Sequence, residues 1–154
     1  MRRESHLAAG VVLFRGDAAQ RRYLLLRSAR TRRPVWEFAK GGIEQGETER
    51  EAGERELQEE TGIASGAYSV REGFRAEEHY IFTAGSGPDR SLISKRVTYF
   101  LAEAHTDEVR LSREATEFRW VSYDEAHRLL RFPEKRRVLQ RAAAWLDGDG
   151  VAGA

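Results

Sequence analysis

The sequence predicts an α+β domain in which a mixed β-sheet is packed between helices. Three observations carry this. Apolar runs with strand spacing occupy the first forty residues and the stretch from about 67 to 104; one highly charged helical segment separates those two groups; and two further helical segments close the chain.

Taken in order, "LAAGVVLF" (7–14) and "RYLLLRSA" (22–29) read as strands flanking the turn-like "RGDAAQR". The basic "RSARTRRP" then leads to "VWEFAKGG" (35–42), a short strand running into paired glycines. Thr48 and Glu51 have the spacing of a capping box, so a helix is expected from about Glu49 to Thr61, with Gly62 as its terminating glycine. "AYSVREGFRAEEHYIFTA" (67–84) and "SLISKRVTYFLAEA" (91–104) read as long strands joined by "GSGPDR", and "EFRWVS" (117–122) as a final short one. Ser122 and Glu125 repeat the capping-box spacing ahead of "YDEAHRLL", and Pro133 suits the first turn of "EKRRVLQRAAAWL". The expected organisation is one domain over residues 1–148 and a disordered C-terminal tail over 149–154.

Composition narrows the function classes. With 40% apolar and 33% charged residues the chain is of ordinary globular type. A net charge of +1 gives no global field that would favour nucleic acid or an anionic membrane. The absence of cysteine excludes a disulfide framework and a thiolate metal site. The apolar run after Met1 is too short and interrupted for a signal peptide, and no stretch approaches a membrane span, so a cytoplasmic location is expected.

The segment from Glu44 to Glu60 holds eight glutamates against two arginines. Ion pairing along a solvated helix explains part of this, through Glu51 with Arg55, Arg50 with Glu54 and Arg55 with Glu59. Glu56, Glu59 and Glu60, however, fall within one 100° arc of the helix, and Ala52 and Gly53, on the same arc, are expected to leave space beside them. Carboxylates about 5–6 Å apart repel by roughly 3 kcal/mol per pair at an effective dielectric of 20. A partly shielded cluster of this kind needs cations, and an all-oxygen donor set without histidine or cysteine suits Mg²⁺, with Mn²⁺ as a substitute.

These residues also resemble a known family. "GGIEQGETEREAGERELQEETGI" is similar to the Nudix box, G-x5-E-x7-R-E-U-x-E-E-x-G-U with U aliphatic. Gly41, Glu47, Arg55, Glu56, Leu57, Glu59, Glu60, Gly62 and Ile63 fill every specified position. The frequencies of these residues in the chain make a chance match about one in a million. The resemblance implies the Nudix fold, an α/β/α sandwich, and a pyrophosphohydrolase acting on a nucleoside diphosphate linked to another group. It implies Glu56, Glu59 and Glu60 as Mg²⁺ ligands, with a backbone carbonyl at Lys40–Gly41. Arg55 is expected to hold Glu47 and neighbouring carboxylates in place, Glu47 and Gly62 to be structural, and Glu59 or Glu60 to accept the proton of the attacking water. A further catalytic glutamate on a distant loop is expected at Glu114, with Glu117 as second choice.

The flanking segments most resemble the asymmetrical diadenosine tetraphosphate hydrolase group, although Ala39-Lys40-Gly41-Gly42 stands where that group has Pro-Lys-Gly-His. The small-molecule substrate expected from this is a dinucleoside polyphosphate. RNA 5′-pyrophosphohydrolases, diphosphoinositol polyphosphate hydrolases and non-catalytic nucleotide-sensing modules are the alternatives. Alternation puts Lys95, Val97, Tyr99 and Leu101 on one strand face. Tyr99 matches a position that stacks on a base in the diadenosine group, and Lys95 and Lys40 are candidates for phosphate. Arg27, Arg30, Arg32 and Arg33 form a basic run ahead of the metal loop that either grips a polyphosphate or is simply solvated. Trp36 reads as sheet packing, and His79 is the one histidine placed to matter. No membrane partner is expected, and the state is a monomer or homodimer.

Overall fold

A computed structural model describes residues 1–29 and 33–149. Arg30, Arg32 and residues 150–154 of the expected tail lie outside the described residues. Eight strands and three α-helices follow in the order β1 (Arg2–Arg15), β2 (Arg22–Ser28), β3 (Trp36–Glu37), β4 (Ala39–Gly42), α1 (Glu49–Thr61), β5 (Tyr68–Val70), β6 (Ala76–Ala84), β7 (Ser91–Ala104), β8 (Ala115–Val121), α2 (Tyr123–Leu129) and α3 (Pro133–Ala144). A π-helical turn continues α3 to Asp149.

The sheet is mixed. β1 and β7 lie parallel at its centre, in register from Arg2 with Ser91 to Phe14 with Glu103. The other edge of β1 is shared in tandem by β4, opposite Ala8–Val11, and β2, opposite Phe14 and Arg15. The other edge of β7 is likewise shared by β5 and β6. One face of the sheet packs Ala8, Val12, Tyr23, Val97, Tyr99 and Leu101 against Ala126 of α2, Leu130 just after it, and Val138, Leu139 and Ala142 of α3. The opposite face packs Val11, Leu13, Leu24, Leu26 and Ala102 against Leu57 of α1 and Ile63. The result is the three-layered α/β/α arrangement expected above.

Two expectations about strands need correction. Residues 67–84 are not one strand but β5 and β6, separated by a turn in which Gly73 has a φ of 97° that only glycine adopts easily. β1 also starts at Arg2 rather than near residue 7, because its charged first turn of residues is recruited by pairing with β7 and not by burial. The first capping box is complete: Thr48 accepts the Glu51 N–H and Glu51 accepts the Thr48 N–H. At Ser122 only the first half forms. No helix among the described residues is long and apolar enough to cross a membrane.

Candidate active site

α1 has a single large apolar side chain, so its contact with the sheet depends on close approach. Gly53 supplies it: a β-carbon there would lie 3.2 Å from the Gly10 carbonyl oxygen of β1. Ala52 and Gly53 are therefore buried against the sheet rather than leaving space beside the carboxylates. This approach turns the Glu56 and Glu60 side of α1 toward β4.

There the chain has no room for a side chain at Gly41, where a β-carbon would overlap the Glu56 carboxylate. The Lys40 N–H donates to Glu60 at 3.0 Å. The loop before β8 closes over the end of α1 by donating the Arg110 and Ser112 N–H groups to the Thr61 and Glu60 carbonyls. The Glu114 carbonyl accepts the Ala29 N–H at the end of β2. These backbone bonds deliver Glu114, fifty residues away in sequence, to the glutamates of α1. One carboxylate oxygen each from Glu56, Glu60 and Glu114 lie within 4.8 Å of one another.

The three-carboxylate group thus contains Glu56, Glu60 and Glu114, and Glu59 is not part of it. Glu59 lies on the outer flank of α1 with its side chain 58% exposed and pairs with Arg55 at 3.2 Å. Glu117 sits in β8 opposite Arg27 and faces Arg119, away from the group.

Arg55 organises the outer side of the cluster. It forks onto Glu47 with bonds of 2.7 and 3.0 Å and donates to Glu56 at 3.0 Å, to Glu59, and to the Gly42 carbonyl at 2.9 Å. Glu51 makes no pair with Arg55, since its carboxylate serves the helix cap. The Arg55 bonds hold the Glu47 carboxyl below its usual range, and the same carboxylates raise Arg55 further. Gly62 ends α1 in the left-handed region, at φ 70°, and donates to the Gln58 carbonyl.

Burial pushes the Glu60 carboxyl up to about 9, helped by the charge of Glu56 and by a hydrogen bond with Glu114. Burial also raises Glu56, against the pull of Arg55. Three converging carboxylates, one of them seated against Gly41 and one holding its proton at neutral pH, form an all-oxygen donor set that fits a hard divalent cation.

Next to this group, on β4 and β7, lie two lysines. Lys40, in β4, pairs with Glu37 at 3.7 Å. Burial disfavours its charge, but Glu37, Tyr80, Glu78 and Glu60 together outweigh this and hold its pKa above the ordinary value. Lys95 of β7 is half-buried and has no hydrogen-bond or ion-pair partner among the described residues. Burial lowers its pKa, and the nearby charge of Lys40 adds to the effect. Directly across the strand pair from Lys95 is Tyr80 of β6, half-buried and stacked on Phe82 with centroids 5.9 Å apart.

Tyr99, expected to stack on a base, is corrected by its burial. It is 0% exposed, its hydroxyl donates to Glu78 at 2.9 Å, and its ring meets Phe38 edge-on. The aromatic ring at the rim is Tyr80, which the sequence reading missed. Its cross-strand pairing with Lys95 was the available signal. Arg27 is half-buried in β2, paired across the strands with Trp36, and Arg33 is exposed ahead of β3. Trp36 packs on the core under the Arg119 guanidinium. His79 is exposed and bonded to Ser94, on the sheet face opposite Tyr80.

The chain is 37% identical over 147 residues to the asymmetrical bis(5′-nucleosyl)-tetraphosphatase of Sus scrofa, covering 90% of this chain and 94% of that protein. It is 31% identical over 125 residues to an RNA pyrophosphohydrolase of Helicobacter pylori, with 75% and 76% covered. A crystal structure of a C. elegans Ap4A hydrolase binary complex superposes with a TM-score of 0.80 at 28% identity, covering 93% of this chain and 98% of that one. The NUDIX domain pattern matches residues 4–142, and with these relatives it makes the chain a member of the NUDIX hydrolase family.

Proposed function

We propose that the protein is an asymmetrical dinucleoside tetraphosphate hydrolase that works with Mg²⁺, for which Mn²⁺ can substitute. The observation that carries the metal-dependent chemistry is the convergence of Glu56, Glu60 and Glu114, with Glu56 seated against Gly41. These three carboxylates would hold the cation, with a backbone carbonyl at Lys40 or Gly41 as a further ligand. When bound, the cation neutralises phosphate charge and lowers the pKa of water.

The protein's residues do the rest. Lys40 and Lys95 receive the polyphosphate, Lys95 with an ammonium that has no ion-pair partner among the described residues. Tyr80 offers its ring to one base, in place of the buried Tyr99. Arg55 keeps Glu47, Glu56 and Glu59 oriented. Water attacks one phosphorus of the chain, the P–O bond to the bridging oxygen breaks, and the water's proton passes to a carboxylate. Glu60 suits that role by its proton affinity, and Glu59 by its exposure beside the group. Unequal cleavage of four phosphates leaves a nucleoside triphosphate and a nucleoside monophosphate.

The test is product analysis with diadenosine tetraphosphate and Mg²⁺. ATP with AMP is the expected outcome; two ADP molecules, or no cleavage, overturns the proposal. The Helicobacter relative supports a second reading, removal of pyrophosphate from RNA 5′ ends, and triphosphorylated RNA belongs in the same panel. A cytoplasmic location completes the reading.

A further inference from the structure

The chain has twenty-three arginines and three lysines, and all three lysines lie close to Tyr80 and Glu78. Lys40 and Lys95 are described above. Lys135, on the first turn of α3, reaches the sheet from the other side and bonds Glu78 at 2.7 Å; the side chains are 6% and 2% exposed. Glu78, Tyr80 and Phe82 alternate along one face of β6, so the Lys135 ammonium also lies over the Tyr80 ring, 5.6 Å from its centroid. The second Glu78 oxygen accepts the Tyr99 hydroxyl, and Tyr99 packs on Phe38, two residues before Lys40.

A fully buried ion pair is a poor way to gain stability, because desolvating two charges offsets their attraction, and apolar residues of similar volume serve as well or better. The pair therefore needs another explanation, and its position supplies one. An ammonium against an aromatic face is attracted by the ring quadrupole and draws electron density toward itself.

We propose that the Lys135–Glu78 pair is a positioning device for Tyr80. Glu78 fixes the ammonium, and the ammonium fixes and polarises the ring that receives a purine of the substrate. This rests on the reading of Tyr80 as the base platform. Lys135 touches no substrate; it acts through Tyr80.

The test compares a ligand with a base to one without. Binding of ADP and of inorganic tripolyphosphate is measured by calorimetry for the parent, Glu78→Leu/Lys135→Met and Lys135→Arg. The double variant is expected to melt at or above the parent temperature. Its affinity for ADP falls about five- to tenfold while that for tripolyphosphate changes less than about twofold. Lys135→Arg, which keeps a cation, retains ADP binding within about threefold. KM for diadenosine tetraphosphate follows ADP affinity, with kcat little changed. In a Tyr80→Leu background the double substitution adds less than about twofold. Should the apolar pair not fold, Glu78→Gln/Lys135→Gln replaces it with the same expectations. Unchanged ADP affinity, equal loss for both ligands, or full loss persisting without Tyr80 would each overturn the proposal. Because binding is read without turnover, failure to cleave the dinucleotide counts against the proposed activity and not against this pair.

Discussion

Glu60→Gln is expected to stabilise the metal-free protein while removing its activity. The Glu60 carboxyl has its pKa raised from 4.5 to about 9, first by burial and then by Glu56 and Glu114. A carboxyl raised on folding keeps its proton in the native state while the unfolded chain loses it. Stability is therefore full below about 4.5 and falls as pH rises, until the native group also ionises near 9. At about 1.4 kcal/mol per pH unit, the interval from 4.5 to 7 amounts to about 3 kcal/mol at neutral pH. Glutamine is neutral at every pH, accepts the Lys40 N–H as the carboxyl does and can donate to Glu114. For a chain of this size, about 3 kcal/mol corresponds to a rise in Tm of roughly 6–12 °C. Thermal melts of both proteins in chelator, from pH 5 to 8, measure this: the parent's Tm falls with pH and the variant's falls less. Mg²⁺ is expected to raise the parent's Tm more at pH 8 than at pH 6 and to release a proton on binding, seen by calorimetry in buffers of different ionisation enthalpy. A flat parent profile, or a variant no more stable than the parent at pH 7, would refute the reasoning.

Gly41→Ala puts a methyl group into the Glu56 carboxylate, so kcat is expected to fall about 10- to 100-fold and the Mg²⁺-induced rise in Tm to shrink; normal turnover would show that the seat of Glu56 against Gly41 is not needed. Lys95→Met keeps the aliphatic stem and deletes a charge that has no ion-pair partner among the described residues, so KM for diadenosine tetraphosphate is expected to rise about tenfold or more while Tm holds or increases. An unchanged KM would mean that the polyphosphate takes another path.

The contrast between Glu56, Glu59 and Glu60 shows where the sequence was sufficient. Their helix, its two caps and its arginine all lie within twenty residues, so local periodicity and capping chemistry placed them correctly relative to one another. Helical spacing puts all three on one arc but does not say which edge of that arc meets β4. Packing of Gly53 on Gly10 decides it, turning Glu56 and Glu60 inward and leaving Glu59 with Arg55. Tyr99 failed for a related reason. Alternation correctly paired it with Lys95 on one face of β7, but the period of two carries no depth. Lys95 stands at the rim and Tyr99, four residues further on, lies under the core built by α2 and α3. Glu78 and Lys135 were illegible because they meet only through the register of β6 with β7 and the docking of α3, fifty-seven positions apart in sequence.

The two halves of the site are unbalanced in opposite senses, and the imbalance is what makes them selective together. Around Gly41 three carboxylates converge, and burial together with the charge of Glu56 lets Glu60 retain a proton it would lose in water. Around Tyr80 three ammonium groups face two carboxylates, Glu37 and Glu78, each of which is matched to Lys40 or Lys135, and Lys95 is left over. Lys40 joins the halves, its N–H on Glu60 and its ammonium beside Glu37. A cation alone would satisfy the first half and a polyphosphate alone the second. A cation-bound polyphosphate satisfies both, and at the first half it displaces a proton that the free protein must hold. The free protein thus carries two electrostatic penalties that a single composite ligand relieves, which favours the complex over either component bound separately.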